Sequence, residues 1–497
     1  MSWFDTTLGW VTEKGKTNRT AFVFLLLTIT LRTIYLIYSD NGFNGDCSTR
    51  LYFCYWWIHS PSIMVGYDWL PLHFYLLGIP MFFSQEVVWT PRIVTVIFGV
   101  LSVFPFAALL RKVFEERVVL YSLLIFALLP AHIVLSVITL SEVPFIFFLL
   151  CALNYAFRFL NSNTTKDLVL TILFLSMANF IRFEGWMFSF LLFLVFWNAR
   201  VSYTRLLTYL SGLAPLILYV LIMSWKKMGD PFWGLNESDR FVINSLKDIN
   251  PIDNGIEIMN AFPALSVILL PLGIFFYHKN VFVKRYLFLL SVPLLYTLFK
   301  IFSCSLTGQY RYLITSSILS IPFIALTIQQ MAIVIFRNDE KKRSVLIYMV
   351  CILICIVPYQ KVLWDPIQPG SNGKFAPGYI ASALWVKSNL PNSKLLLDTD
   401  FFSTYTWMVY ADKISMYNCT TEKSWALERY PDIWKDSNAI STSFYAMIKA
   451  NHVTHLVLFK NGNISTHLHF RNKLETINDL HFDRIYDYNG YSVYKVF

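Results

Sequence analysis

Charge is scarce in this chain: Asp, Glu, Lys and Arg make up 14% of its 497 residues, while hydrophobic residues make up 56%. A soluble domain carries roughly a quarter of its residues charged, so that class is excluded. With a mean hydropathy of +0.51, the composition is that of a polytopic, all-α membrane protein. Cysteine is sparse as well. The seven are scattered and none stands at zinc-site spacing with histidines, so no metal centre is read from them. No internal repeat is visible, which weakens a transporter built from inverted halves. The first apolar run, residues 21–38, lacks a small-residue cleavage site and reads as a retained span rather than a removed signal peptide. A net charge of +10 would suggest nucleic acid in a soluble protein, but in a membrane protein Lys and Arg collect in cytoplasmic loops. No nucleic-acid partner is expected.

What the chain has in quantity is apolar sequence. A span needs about 20 such residues, and eleven segments qualify, at 21–38, 90–110, 118–136, 142–160, 167–181, 185–199, 205–224, 263–277, 285–303, 313–335 and 344–358. The stretch Leu70–Phe83 is short and contains Pro71, His73 and Pro80, so it reads as an interfacial or re-entrant helix of the first loop. With a cytoplasmic N-terminus, this assignment puts Arg111/Lys112/Arg117, Arg158/Lys166, Arg200/Arg205, Lys279/Lys284/Arg285 and Arg337/Lys341/Lys342/Arg343 on one side, as the positive-inside rule requires. The chain is then a multi-pass protein of a plasma or inner membrane. Its transmembrane module covers residues 1–358, with a first outer loop at 39–89. After Pro358 no run is long enough to span, and residues 359–497 read as a small extracytoplasmic α/β domain. Its expected elements are a helix over 379–390, strands over 394–398 and 455–459, and a closing strand from Tyr491.

The outer side holds the ionisable residues worth weighing. Residues 40–73 contain Asp40, Asp46, Arg50, His59, Asp68 and His73 among aromatic residues, and ionisable groups at a membrane surface are costly unless used. Asp46 follows Asn44-Gly45, so it either caps a helix and pairs with Arg50 one turn on, or serves as a reactive carboxylate. Glu142 begins an apolar helix and is either a functional acid or part of an N-terminal cap with Ser141 or Thr139. Arg182 and Glu184 form either a plain ion pair or part of a site. Arg311 stands on the outer side against the charge rule and needs an anionic partner, a protein carboxylate or a lipid phosphate. His73 is a candidate for a sugar hydroxyl or a phosphate, whereas His132 reads as a packed core histidine. Lys226 and Lys227 read as snorkelling charges. Cys47 and Cys54 are either a disulfide or two thiols, and Asp398-Thr-Asp400 reads as a turn rather than a nucleotide-sugar site. Acids and cations meeting at one face suit a reaction on an anionic lipid, in which a carboxylate takes a proton from an attacking hydroxyl while Arg offsets the charge of a departing phosphate.

The segments NGDCSTR (44–50), YDWLPLHFYLLG (67–78), TPRIVTVIFG (90–99), LPAHIVLSVITLSEVP (129–144) and FIRFEGW (180–186), in that order, resemble the dolichyl-phosphate-mannose protein mannosyltransferase-like (family 39) GT-C glycosyltransferases, and more distantly the aminoarabinose transferases acting on lipid A. The resemblance implies a GT-C fold of about 11 transmembrane helices with interfacial helices in the first outer loop. It implies inverting transfer of a sugar from a polyprenyl-phosphate donor to a hydroxyl of a protein, glycolipid or polysaccharide, with no cofactor and no metal ion. Asp46 occupies the position of the family's catalytic base, although Cys47 replaces the Glu that often follows it. Glu142 matches a second acid, and Arg311 stands near the basic or polar residue that opens a late span. Arg50, His73, Arg182 and Glu184 complete the expected substrate site. The competing readings are a transporter or flippase of lipid-linked sugars, using the same charges for binding only, and a silent scaffold.

Overall fold

The computed structural model describes residues 15–38, 45–63, 69–84, 89–236, 257–277, 280–306, 309–337, 339–357, 377–398, 407–412, 444–446, 448–459, 474–477 and 479–497, with 250, 251 and 255. Asp40, Asp68, Asp400, Cys419 and the expected boundary at 358 lie outside these residues.

Helix α1 (Gly15–Tyr38) is followed by α2 (Gly45–His59) and α3 (Leu72–Ser84) of the first loop. Then come α4 (Trp89–Leu101), α5 (Val103–Leu110), α6 (Glu116–Leu128), α7 (Pro130–Leu135), α8 (Glu142–Ser162), α9 (Thr165–Asn179), α10 (Glu184–Asn198) and α11 (Tyr203–Met228). The series closes with α12 (Ser266–Tyr277), α13 (Val281–Phe302), α14 (Ile314–Ile335) and α15 (Glu340–Ile356). Helices lie over every apolar segment marked out above. Six stretches among the described residues are long and apolar enough to cross a membrane, namely Ala21–Tyr38, Trp89–Leu110, Glu142–Ser162, Tyr203–Met228, Val281–Phe302 and Tyr310–Ile335. The protein is an integral membrane protein. Leu70–Phe83 folds as α3, a helix of 13 residues with Pro80 inside it.

The contacts divide the chain into two compact units, one of residues 1–39, 63–76 and 92–367, the other of residues 40–62, 77–91 and 368–497. In the first, α8 buries every side chain from Glu142 to Phe157, as a helix that is apolar all round must. Helices α1, α11 and α13 bury one face and expose Phe22, Leu207 and Phe299 on the other. The span expected at 118–136 is broken between α6 and α7. Pro130 has no N–H and drives Leu129 into an extended conformation, φ −65° and ψ 110°. The fully buried Arg32 of α1 fills the gap: its Nη1 donates to the Ala127 carbonyl at 3.3 Å, its Nε to Ser136 Oγ at 3.3 Å, and its Nη2 lies 2.5 Å from His132 Nδ1. His132 is thus the packed core histidine that the sequence suggested. Between α12 and α14 the backbones meet closely, because a Cβ on Gly273 would collide with the Phe323 carbonyl. Thr327 Oγ1 donates to the Leu269 carbonyl at 2.7 Å across the same contact, the small-residue packing that membrane helices favour.

The second unit contains a five-stranded sheet of order β1-β2-β5-β4-β3, formed by β1 (Leu395–Asp398), β2 (His455–Phe459), β3 (Leu474–Ile477), β4 (Leu480–Tyr488) and β5 (Tyr491–Val496). Strands β1 and β2 are parallel and the remaining pairs antiparallel. Helix α16 (Pro377–Asn389) packs on it, and Leu396, Leu456, Phe482 and Tyr494 share a core with Phe444 and Ile448. The helix and three strands stand where periodicity places them. Strands β3 and β4 were not anticipated: β4 mixes Asp483, Arg484 and Asp487 with apolar residues, and its register shifts between Arg484 and Tyr486, which breaks the alternation a reader relies on.

Candidate active site

Glu142 is the first residue of α8, and the six residues before it form a buried, non-helical connection from α7. Buried backbone groups need partners, and side chains from elsewhere supply them. Arg92 Nε donates to the Val137 carbonyl at 3.1 Å, and His73 Nε2 lies 3.2 Å from the Thr139 carbonyl. His73 is therefore fully buried. Through this contact its Nε2 helps to hold the backbone that presents Glu142. Ser141 does not cap α8 through its side chain. Ser141 has helical φ and ψ of −79° and −12° and makes no side-chain cap bond; its Oγ accepts instead from Arg182 Nη1 at 3.0 Å.

Arg182 joins two acids. Its Nη1 donates to Glu142 Oε1 at 2.7 Å, its Nε reaches both oxygens of Glu184 at 3.1 Å, and its Nη2 donates to Glu184 Oε1 at 2.5 Å. Burial works against the guanidinium charge, yet Glu184 and then Glu142 outweigh it and hold the Arg182 pKa above its usual value. The ion pair expected for Arg182 and Glu184 is real, and it extends to Glu142. The Glu142 side chain is only 3% exposed, and its Oε2 is buried without a hydrogen-bond partner among the described residues. That oxygen is an acceptor in a low-dielectric setting, where an incoming hydroxyl would be strongly held.

The turn that carries Arg182 is locked locally. A Cβ on Gly185 would stand 2.7 Å from Asn179 Oδ1 and 2.9 Å from the Asn179 backbone, so only glycine allows this approach. Asn179 Nδ2 donates to Ser189 Oγ at 2.8 Å, Trp186 Nε1 donates to the Asn179 carbonyl at 3.0 Å, and the Leu72 N–H donates to the Phe180 carbonyl at 3.0 Å. Leu70, Phe180 and Val220 pack beneath with Trp186 and Tyr219. Arg311 lies in the 3-10 turn Tyr310–Leu313 ahead of α14, buried, with Nη2 donating to the Tyr312 hydroxyl at 3.0 Å. Its charge repels that of Arg182 and draws the Arg182 pKa down slightly against the two acids.

The other candidates lie in the second unit. Asp46 occupies the first turn of α2, partly exposed, and Arg50 is buried one turn on. Cys47 and Cys54 are both buried free thiols, which settles against a disulfide; burial pushes the Cys54 thiol up and Arg50 draws it back only in part. Near the other end of α2, the Tyr55 hydroxyl donates to Asp412 Oδ1 at 2.6 Å, and Lys387 Nζ is 3.5 Å from Asp412 Oδ2. Burial and then the Asp412 carboxylate push the Tyr55 hydroxyl up, so it remains a donor. Burial favours the neutral form of Asp412, but Tyr55 and Lys387 outweigh it and hold the carboxyl below its usual 3.8. This contact supports the folded state fully above pH 3.8 and is lost as pH falls through the lower folded value. Tyr55→Phe is therefore expected to speed amide hydrogen exchange of α2 about fivefold at neutral pH, the effect of a partly exposed bond to a charged acceptor. The wild type should approach the variant in acid, after correction for intrinsic exchange rates. Equal exchange at both pH values would remove the contact's significance.

Sequence reading found neither Arg92 nor the Tyr55–Asp412 pair, and it read Ser141 only as a cap. The members of the pair are 357 residues apart in sequence, and no local pattern announces it.

Against known proteins, the pattern of the dolichyl-phosphate-mannose-protein mannosyltransferase family matches residues 68–225. No curated protein matches the sequence. Among solved structures, ArnT from Cupriavidus metallidurans in the apo state superposes with a TM-score of 0.58 at 10% identity, covering 99% of this chain and 98% of that one. ArnT bound to undecaprenyl phosphate gives 0.56 at 10% identity, covering 95% and 97%. The archaeal oligosaccharyltransferase AglB from Archaeoglobus fulgidus, in complex with an inhibitory peptide and a dolichol-phosphate, gives 0.55 at 13% identity, covering 92% of this chain and 70% of that one. The chain therefore has the GT-C fold of these structures, and within it residues 68–225 carry the pattern of the mannosyltransferase family.

Proposed function

We propose that this protein is a membrane glycosyltransferase that moves a sugar from a polyprenyl phosphate to an acceptor hydroxyl on the extracytoplasmic face. The observation that carries the reading is the Glu142–Arg182–Glu184 cluster, in which the Glu142 side chain is 3% exposed, in a fold shared with structures that hold undecaprenyl phosphate and dolichol-phosphate. In the proposed step the Asp46 carboxylate takes the proton of the acceptor hydroxyl, whose oxygen bonds to the anomeric carbon. The bond from that carbon to the phosphate oxygen breaks, and polyprenyl phosphate leaves with the electron pair. Configuration inverts, and the step as written uses no metal ion. Arg50 and Arg311 are the cations proposed to offset the leaving phosphate. Arg182 is already engaged by two carboxylates, so its part is to hold Glu142, whose Oε2 orients the acceptor or the sugar. The acceptor is a protein, glycolipid or polysaccharide.

Incubating the purified, reconstituted protein with radiolabelled polyprenyl-phosphate sugars and a membrane extract as acceptor source, with chelator in one arm, tests this reading. Release of free polyprenyl phosphate, unaffected by the chelator, is the expected outcome. Movement of intact lipid-linked sugar across the bilayer with no bond cleavage would establish the transporter reading instead.

A further inference from the structure

The bundle has a concave, charged feature at the end of α10 remote from Glu184. A cavity of about 390 Å³ opens between the end of α10 and the start of α13, lined by Leu194, Val195 and Asn198 on one side and Lys284, Arg285 and Phe288 on the other. Its lining contains two cations and no carboxylate. Among the described residues, neither Lys284 nor Arg285 forms an ion pair, and the buried Arg285 Nε has no hydrogen-bond partner. Arg285 instead lies over the Phe282 ring at 5.5 Å from its centroid. The walls are apolar, and Val281 and Phe288 are exposed on the outside of the bundle, where acyl chains lie in a membrane.

A small soluble anion would satisfy the cations and leave the walls against lipid tails unmatched. A neutral lipid would do the reverse. An anionic amphiphile matches both at once, its phosphate meeting Lys284 and Arg285 and one chain lying along Leu194, Val195 and Phe288. The charge distribution puts this end with Arg200 and Arg205 on the cytoplasmic side. We infer that the groove between α10 and α13 binds an anionic phospholipid of the cytoplasmic leaflet, at a site separate from that of the lipid-linked donor.

The test is photo-crosslinking in bilayers containing a photoactivatable phosphatidylglycerol, with labelled peptides mapped by mass spectrometry. Peptides spanning 194–198 and 281–288 are expected to be labelled, and a phosphatidylcholine analogue to label them weakly. In the variant Lys284→Gln/Arg285→Gln, labelling should fall about tenfold or more, given the usual contribution of each cation near an anionic headgroup. The exposed single change Lys284→Gln, which leaves packing intact, should lower it about threefold. Lys226→Gln/Lys227→Gln, which removes as many exposed cations at the end of α11, should leave it unchanged. Wild-type labelling in the double variant, an equal loss in the Lys226/Lys227 variant, or displacement of the lipid by inorganic phosphate would each overturn the assignment.

Discussion

Asp46→Asn is expected to cut sugar transfer by about 10² to 10⁴-fold, the usual contribution of a positioned general base, while the protein stays folded and inserted. The substitution is informative because of where Asp46 sits. It stands in the first turn of α2, and Asn serves the start of a helix as well as Asp does. If Asp46 were only a helix-starting residue, Asn would replace it at no cost to activity. If it is the base, Asn keeps the helix and loses the proton acceptor. The assay is release of polyprenyl phosphate, with the thermal transition in detergent as the folding control. Wild-type turnover in a correctly folded Asp46→Asn protein would end the proposed mechanism.

Arg182→Gln should have the largest effect on stability, a loss of about 3–5 kcal/mol, because removing one partner of a buried pair strands the other. The stranded group is Glu142, whose side chain is 3% exposed; Glu184, at 38%, can turn to water. The asymmetry makes a second expectation. Glu142→Gln leaves Arg182 paired with Glu184 and should cost far less, about 1 kcal/mol, and Arg182→Gln/Glu142→Gln should recover most of what Arg182→Gln alone loses. Thermal unfolding of the four proteins in one detergent measures the coupling. Additive losses would mean that the 2.7 Å contact between Arg182 and Glu142 contributes little to stability. Transfer activity separates the roles: Glu142→Gln should remain folded yet turn over slowly, since the oxygen proposed to accept from a substrate hydroxyl is replaced by an amide.

Several residues were legible one at a time without their partners being so. Glu142, Arg182 and Glu184 drew notice as acids and a cation at helix ends, and FIRFEGW shows its glycine openly. What made them a cluster was the folding of α8, α9 and α10 around one turn, where Gly185 lets the backbone close on Asn179. His73 drew notice for the same reason, and its place against the bent backbone at 136–141 became visible only in the fold. Pro130 signals a break, yet nothing local says that Arg32, about a hundred residues earlier, will satisfy the freed carbonyl.

By itself, the sequence of this protein determined its solvent and its segments. Hydropathy and the scarcity of charge decide which stretches leave water, because that transfer free energy sums over adjacent residues and does not depend on distant contacts. The helix α16 and strands β1, β2 and β5 follow from local periodicity for a similar reason. Only the tertiary structure decided which buried charges meet. Pairing Arg182 with Glu142, setting His73 Nε2 against the Thr139 carbonyl and tying Tyr55 to Asp412 are solutions to a requirement that the whole fold imposes: a polar group removed from water must find its partner wherever the chain brings one.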